Sequence, residues 1–181
     1  MKKIFIYCAY TLISITIIAH PHVFIEVLTK INIKNDILEI SSTWKFDDLM
    51  SMLLKKQYND IDSINKKLQE KYKKENFFTT IYLNQKNLQI SPLKIFSTEI
   101  ENRILFTMIY DLKLENNNNE IIISTYDKSY YTYLKTEKDD NINIIPNKNY
   151  EIESTIFANF DKLFYFDQIF PYEIKLIIRR K

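Results

Sequence analysis

The sequence predicts one α+β domain, mostly antiparallel β-sheet in a sandwich-like arrangement, with a two-helix insertion near residues 47–75. Three observations carry that expectation. Apolar and polar residues alternate with a period of two through most segments, the pattern of half-buried strands. Only between about 47 and 75 does the apolar spacing lengthen to that of an amphipathic helix. Finally, 181 residues that are 46% hydrophobic and 27% charged can bury one core and leave little room for two.

The elements follow in order. Residues 1–19, MKKIFIYCAYTLISITIIA, pair a short basic start (Lys2, Lys3) with an uncharged apolar run from Ile4 to Ile18 and a small residue, Ala19, for cleavage. They read as a secretory signal peptide, leaving residues 20–181 as a single periplasmic domain. The alternative is an uncleaved signal anchor in the inner membrane. From His22 to Ile33 alternation marks a strand. Asn35-Asp36 is a turn, and Ile37 to Phe46 is the second strand of a hairpin. Asp47-Asp48 stands where a helix N-cap belongs, followed by Leu49, Met50, Leu53 and Leu54 at helical spacing. After Asn59-Asp60, Ile61, Ile64, Leu68 and Tyr72 form the stripe of a second helix.

Strand signals return at Phe77 to Leu83, and Leu88 to Phe96 reads as an edge strand because Pro92 cannot donate to a ladder. Ile104 to Leu114 and Glu120 to Tyr126 flank Asn116 to Asn119 and read as a hairpin. Tyr130 to Leu134, Ile142 to Ile145, Tyr150 to Phe157 and Tyr172 to Ile178 are further strands, and Ala158 to Asp167 is expected to form a helical turn or two.

Composition closes off several function classes. The chain has no glycine, so glycine-rich dinucleotide and phosphate loops are excluded. Asn and Lys are expected to take the positive-φ turn positions. Removing residues 1–19 leaves 162 residues with 23 basic and 23 acidic side chains, a neutral chain poorly suited to nucleic acid. It also removes the single cysteine, Cys8, and with it any disulfide or thiolate site. No stable membrane insertion is expected after cleavage.

The candidate chemistry lies at the new N-terminus. His20 and His22 are the only histidines. Cleavage after Ala19 would give His20 a free α-amine beside its imidazole, and His22 points to the same side of an extended chain. Such nitrogens suit Ni, Co, Zn or Cu. Pro21 has no N–H to lose, which blocks the square-planar amino-terminal mode. Glu26, Asp47, Asp48 and Asp127 are the carboxylates that could complete a site. The alternatives stand beside this: His22 as a packing residue, His20 as a frayed end, Asp47 as a helix cap, Asp127 as a turn residue. Trp44 reads as core, Glu26 as solvent-facing, and Tyr126, Tyr130, Tyr131 and Tyr133 as strand residues.

Four ordered blocks carry a resemblance. They are His20-Pro21-His22-Val23-Phe24-Ile25-Glu26, Thr43-Trp44-Lys45-Phe46-Asp47-Asp48, Phe77-Phe78-Thr79, and Tyr126-Asp127-Lys128-Ser129-Tyr130-Tyr131. Over roughly residues 19–145 they resemble the bacterial periplasmic family numbered 1007 among domains of unknown function. Its members are commonly labelled substrate-binding components of an uncharacterised ABC-type transport system and accompany nickel/cobalt-type permeases. The resemblance implies a periplasmic accessory of transition-metal transport, partnered by an inner-membrane metal permease, with His20, His22, Asp47 and Asp127 as metal-site residues. Family members often carry a calcium loop between the two helices. Here Tyr58 to Asn65 lacks the turn glycine, so no calcium site is expected. Lys128 replaces the usual proline.

The leading expectation is therefore a non-enzymatic binding protein for a divalent transition metal. At 162 residues it is too small for a two-lobed receptor with a hinge. The alternative is an envelope interaction protein without a metal, using a sheet edge or the aromatic segment Phe157 to Phe170. A copper enzyme with a terminal-histidine brace lacks the third histidine, and Ser-His-Asp catalysis has its only histidines at a chain end.

Overall fold

A computed structural model of the chain describes residues 22–136 and 139–181. The expected signal peptide and His20 lie outside the described residues. The domain is mostly β-sheet with two helices, as the periodicities imply. The first hairpin is β1 (Val23–Lys34) and β2 (Ile37–Phe46), paired from Ile25↔Phe46 to Lys34↔Ile37. In both strands alternate residues are buried, so the period of two becomes one core face and one outer face.

Two helices follow. α1 (Asp48–Gln57) starts at Asp47, whose side chain accepts the Met50 amide. α2 (Ile61–Tyr72) starts at Asp60, which caps Ser63 in the same way. Ile64, Leu68 and Tyr72 of α2 are buried as its stripe predicts. α1 departs from expectation, because only Ser51 and Leu54 are buried while Leu49 and Leu53 face outward. Besides Leu54, a polar contact fastens it: the Ser51 hydroxyl accepts the Ile104 amide at 3.0 Å and donates to the Phe46 carbonyl at 3.4 Å.

A 3-10 segment (Lys73–Phe78) leads to β3 (Thr79–Leu83) and β4 (Lys86–Leu88). The strands β5 (Lys94–Ile100), β6 (Arg103–Lys113), β7 (Asn118–Thr125), β8 (Thr132–Lys135), β9 (Ile142–Ile144), β10 (Tyr150–Ala158) and β11 (Tyr172–Arg180) complete the chain. One sheet runs β5-β6-β2-β1-β8, and β9 also pairs with β1. The other runs β10-β11-β7-β3-β4. All pairings are antiparallel except that β8 and β9 lie parallel to β1, at Val23↔Thr132 and Thr29↔Ile142. The inner faces share one core with Trp44 at 0% exposure, in ring contact with Tyr72, Phe78 and Phe106.

Several local expectations are corrected. β6 and β7 are not a hairpin; β6 pairs with β2 and β5, β7 with β11 and β3, and the Asn-rich link carries the chain from one sheet to the other. Asn119, fully buried, ties that corner by accepting the Glu115 and Asn116 amides and donating to the Asn116 carbonyl. The segment from Leu88 to Phe96 is two strand ends in different sheets, with Pro92 in the joint between them. Ala158 to Asp167 contains no helix. It opens a loop closed by a bridge between Phe164 and Ile169. Positive φ falls on Asn35, Asn76, Asn84 and Asn102 but on no described lysine; Asp36, Asp167, Gln85, Glu101 and several aromatics take the remaining places. Short Asn and Asp side chains bond locally in this region, which a lysine stem cannot do.

Candidate functional site

The start of β1 lies between two of the candidate residues, the Asp127 loop on one flank and Asp47 on the other. The His22 amide donates to the Tyr131 carbonyl at 2.9 Å, so the first described residue is hooked onto the loop before β8. Its exposed imidazole lies 5.0 Å from the Tyr131 ring. That loop is built by Asp127, which is 6% exposed. One carboxylate oxygen accepts the Ser129 amide at 2.9 Å and the Ser129 hydroxyl at 2.6 Å; the other accepts the Thr132 amide at 3.0 Å. An Asp with three local donors holds a turn. For that reason Tyr126, Tyr130 and Tyr131 stand outside the strands, and of the four tyrosines only Tyr133 is in one.

Asp47 sits on the opposite flank of β1. Its amide reaches the Phe24 carbonyl at 3.4 Å, and one of its oxygens caps α1 at 2.7 Å. It lines a hollow of about 410 Å³ with Phe24, Glu26, Lys45, Arg103 and Lys135. Two other candidate carboxylates are committed to cations there. Glu26 lies 3.7 Å from Lys45, and Asp48 receives Arg103 bidentately at 2.7 and 3.0 Å. The Arg103 hydrogen bond, more than its charge, holds the Asp48 carboxyl below its ordinary value. Among the described residues no three His, Cys, Asp or Glu side chains are grouped to hold a metal ion.

On the inner flank a cleft of about 780 Å³ opens between the end of α2 and the Asp127 loop, lined by Lys71, Tyr72, Lys74, Asp127, Lys128 and Tyr131 among others. Lys71 Nζ lies 5.0 Å from the Tyr72 ring and 5.9 Å from the Tyr131 ring. Burial pulls its pKa down and the Asp127 charge pulls it partly back. Burial, with Asp127 adding to it, drives the Tyr72 hydroxyl well above its ordinary value, so it stays protonated.

One polar centre carries no sequence signal. Glu173 is 0% exposed although it lies on the outer face of β11. The loop after β10 folds over it, and its carboxylate accepts Ser124 Oγ at 2.5 Å, Asn159 Nδ2 at 2.7 Å and Lys162 Nζ at 2.8 Å. Its alternation with Lys175 and Arg179 reads as a solvated strand face, so only the loop's position reveals it.

These features define a two-sheet sandwich with a helical pair inserted after its first hairpin and an N-terminal strand that opens beside a cleft. The chain belongs to the family described as "Protein of unknown function (DUF1007)", which matches residues 5–156. The loop over Glu173 and the whole of β11 lie beyond the matched residues. No curated protein matches the chain. Among the described residues no helix is long and apolar enough to cross a membrane.

Proposed function

We propose that this protein is a periplasmic accessory of divalent transition-metal transport, which binds the ion at its processed N-terminus and exchanges it with an inner-membrane permease. It binds and hands on; it does not catalyse. The observation that supports this most is the tether of His22 to the Tyr131 carbonyl, beside the turn built by Asp127. A chain starting at His20 has two residues beyond that anchor, a reach of about 7 Å. Its α-amine and imidazole can therefore meet the exposed His22 ring. The Asp47 carboxylate, oriented by the Met50 amide it caps, would complete the set, while Asp127, with three donors already on its oxygens, holds the turn. Two imidazoles, an amine and a carboxylate suit Ni, Co, Zn or Cu.

The test is native mass spectrometry of the protein exported and processed by a bacterial host. A chain that begins at His20, retains one ion, and loses it when both histidines become alanine is the expected result. A correctly processed chain that stays bare with all four ions refutes the reading.

A second reading, an envelope interaction protein without a metal, draws on the apolar side chains left outside the core. Leu49, Met52 and Leu53 on α1 are 63%, 54% and 47% exposed, and Phe160 and Phe166 are 66% and 82% exposed. Under that reading the double histidine variant keeps its partner in a pull-down from envelope extracts, and substitution of Leu49 and Leu53 by Ser releases it.

A further inference from the structure

A second cavity, of about 270 Å³, lies between the Asp127 loop and the segment from Phe164 to Tyr172. Six aromatic rings line it: Tyr126, Tyr130, Tyr133, Phe164, Phe170 and Tyr172. They brace one another. Phe164 lies 4.9 Å from Tyr126 and 6.3 Å from Tyr130, and Tyr130 lies 6.1 Å from Tyr133. All six are half-buried. The only formal charge in the lining is Asp127, with no Lys, Arg or His among the described residues that form it. In a chain with 25 basic side chains, a cavity with none of them in its lining and six aromatic rings around it favours positive charge.

We infer that this cavity binds a small organic cation of the quaternary or methylated ammonium class. Three features select that class. The volume is below the roughly 300 Å³ at which drug-sized pockets begin, so the ligand is small. The Asp127 oxygens already accept three hydrogen bonds, from the Ser129 amide and hydroxyl and from the Thr132 amide. Asp127 therefore offers the cavity its negative charge and little remaining capacity to accept N–H donors. A primary ammonium or a hydrated metal ion would surrender its water shell against a wall that is mostly ring and aliphatic carbon. A methylated ammonium carries no such shell, and its charge is satisfied by ring faces and a nearby carboxylate. Two separate stretches build the cage: Tyr126 to Tyr133 lie within the part matched by the family, and Phe164 to Tyr172 lie beyond it. This inference stands apart from the metal reading.

The experiment is isothermal titration of the processed protein with choline in excess EDTA, beside the neutral isostere in which carbon replaces the quaternary nitrogen. Choline is expected to bind at one site, and the isostere about ten-fold or more weaker, because it fills the same volume without the charge. Tyr130→Leu should weaken choline about ten-fold. Saturation transfer from aromatic protons of the unmodified protein to the choline methyls checks the location without relying on any variant. Equal binding of choline and the isostere overturns the inference. So does absence of binding at tens of millimolar choline, or its loss when EDTA removes bound metal.

Discussion

Replacing Glu173 probes a buried charge cluster that links the C-terminal loop to the sheet. Its carboxylate takes three donors at 2.5, 2.7 and 2.8 Å and is fully buried, while its cationic partner Lys162 keeps 32% of its side chain exposed. Hydrogen bonds to a charged group contribute about 1.5–3 kcal/mol each, and removing one member of a buried pair costs about 3–5 kcal/mol. Solvent reaches Lys162, so the lower end applies. We expect Glu173→Ala to cost about 3 kcal/mol, since it strands Ser124, Asn159 and Lys162 together. Glu173→Gln keeps the shape and one acceptor oxygen but faces a donor with its amide, and should cost about 2–3 kcal/mol.

Lys162→Met separates the pair from the packing, because the Lys162 ammonium also lies 4.6 Å from the Tyr82 ring. In a double-mutant cycle Glu173→Gln and Lys162→Met should be less than additive by about 1–2 kcal/mol. The assay is urea unfolding followed by circular dichroism, with hydrogen exchange across residues 159–171 as a local readout. A loss below about 0.5 kcal/mol for Glu173→Gln, or full additivity in the cycle, would refute the argument that this pair fastens the loop to β11.

Three further outcomes follow from the same geometry. Asp127→Ala should lower stability by about 3 kcal/mol in urea unfolding, and Asp127→Asn by about half that, because the amide retains one of the two acceptor oxygens. Asp47→Ala should cost about 1 kcal/mol in the same assay and Asp47→Ser almost nothing, as expected of a helix cap. Around Lys162, burial lowers the pKa but the hydrogen bond and charge of Glu173 overcome it, leaving the value above the ordinary 10.5. A base whose folded value is raised stabilises fully below the unfolded value and loses that contribution as pH climbs through the folded one. Unfolding midpoints should therefore hold through neutral pH and fall above about 10.5, less steeply in Lys162→Met than in the unmodified chain.

The candidate site divides between what a residue type announces and what its neighbours decide. His22 and Asp127 stand 105 positions apart in sequence, and the parallel pairing of β8 with β1 sets His22 against Tyr131, on the loop that Asp127 organises. Asp47 has both a helix cap's position in the sequence and a cap's hydrogen bond in the fold. Asp127 likewise organises its turn, which makes it a charge held in place by hydrogen bonds instead of a free carboxylate. Glu26 and Asp48 look like available ligands in the sequence, yet lie against Lys45 and Arg103 in three dimensions. The aromatic cage is equally invisible along the chain, where its tyrosines merge with a tyrosine-rich background.

By itself the sequence determined the fold class, the first hairpin, the two helices and the cap of the first, and the burial of Trp44. Each depends on side chains within a few residues of one another: alternation places Ile25 and Val27 on one face, and Asp47 reaches the Met50 amide within a single turn. The tertiary structure alone decided which sheet each strand joined. An Asn-rich link between two strands looks the same whether it closes a hairpin or crosses between sheets, and only the partners of β6 and β7 distinguish them. It alone buried Glu173, because a strand's outer face is solvated until another segment covers it. Periodicity records which face of an element is apolar; what lies against the other face is settled by contacts between distant parts of the chain, and these leave no local mark.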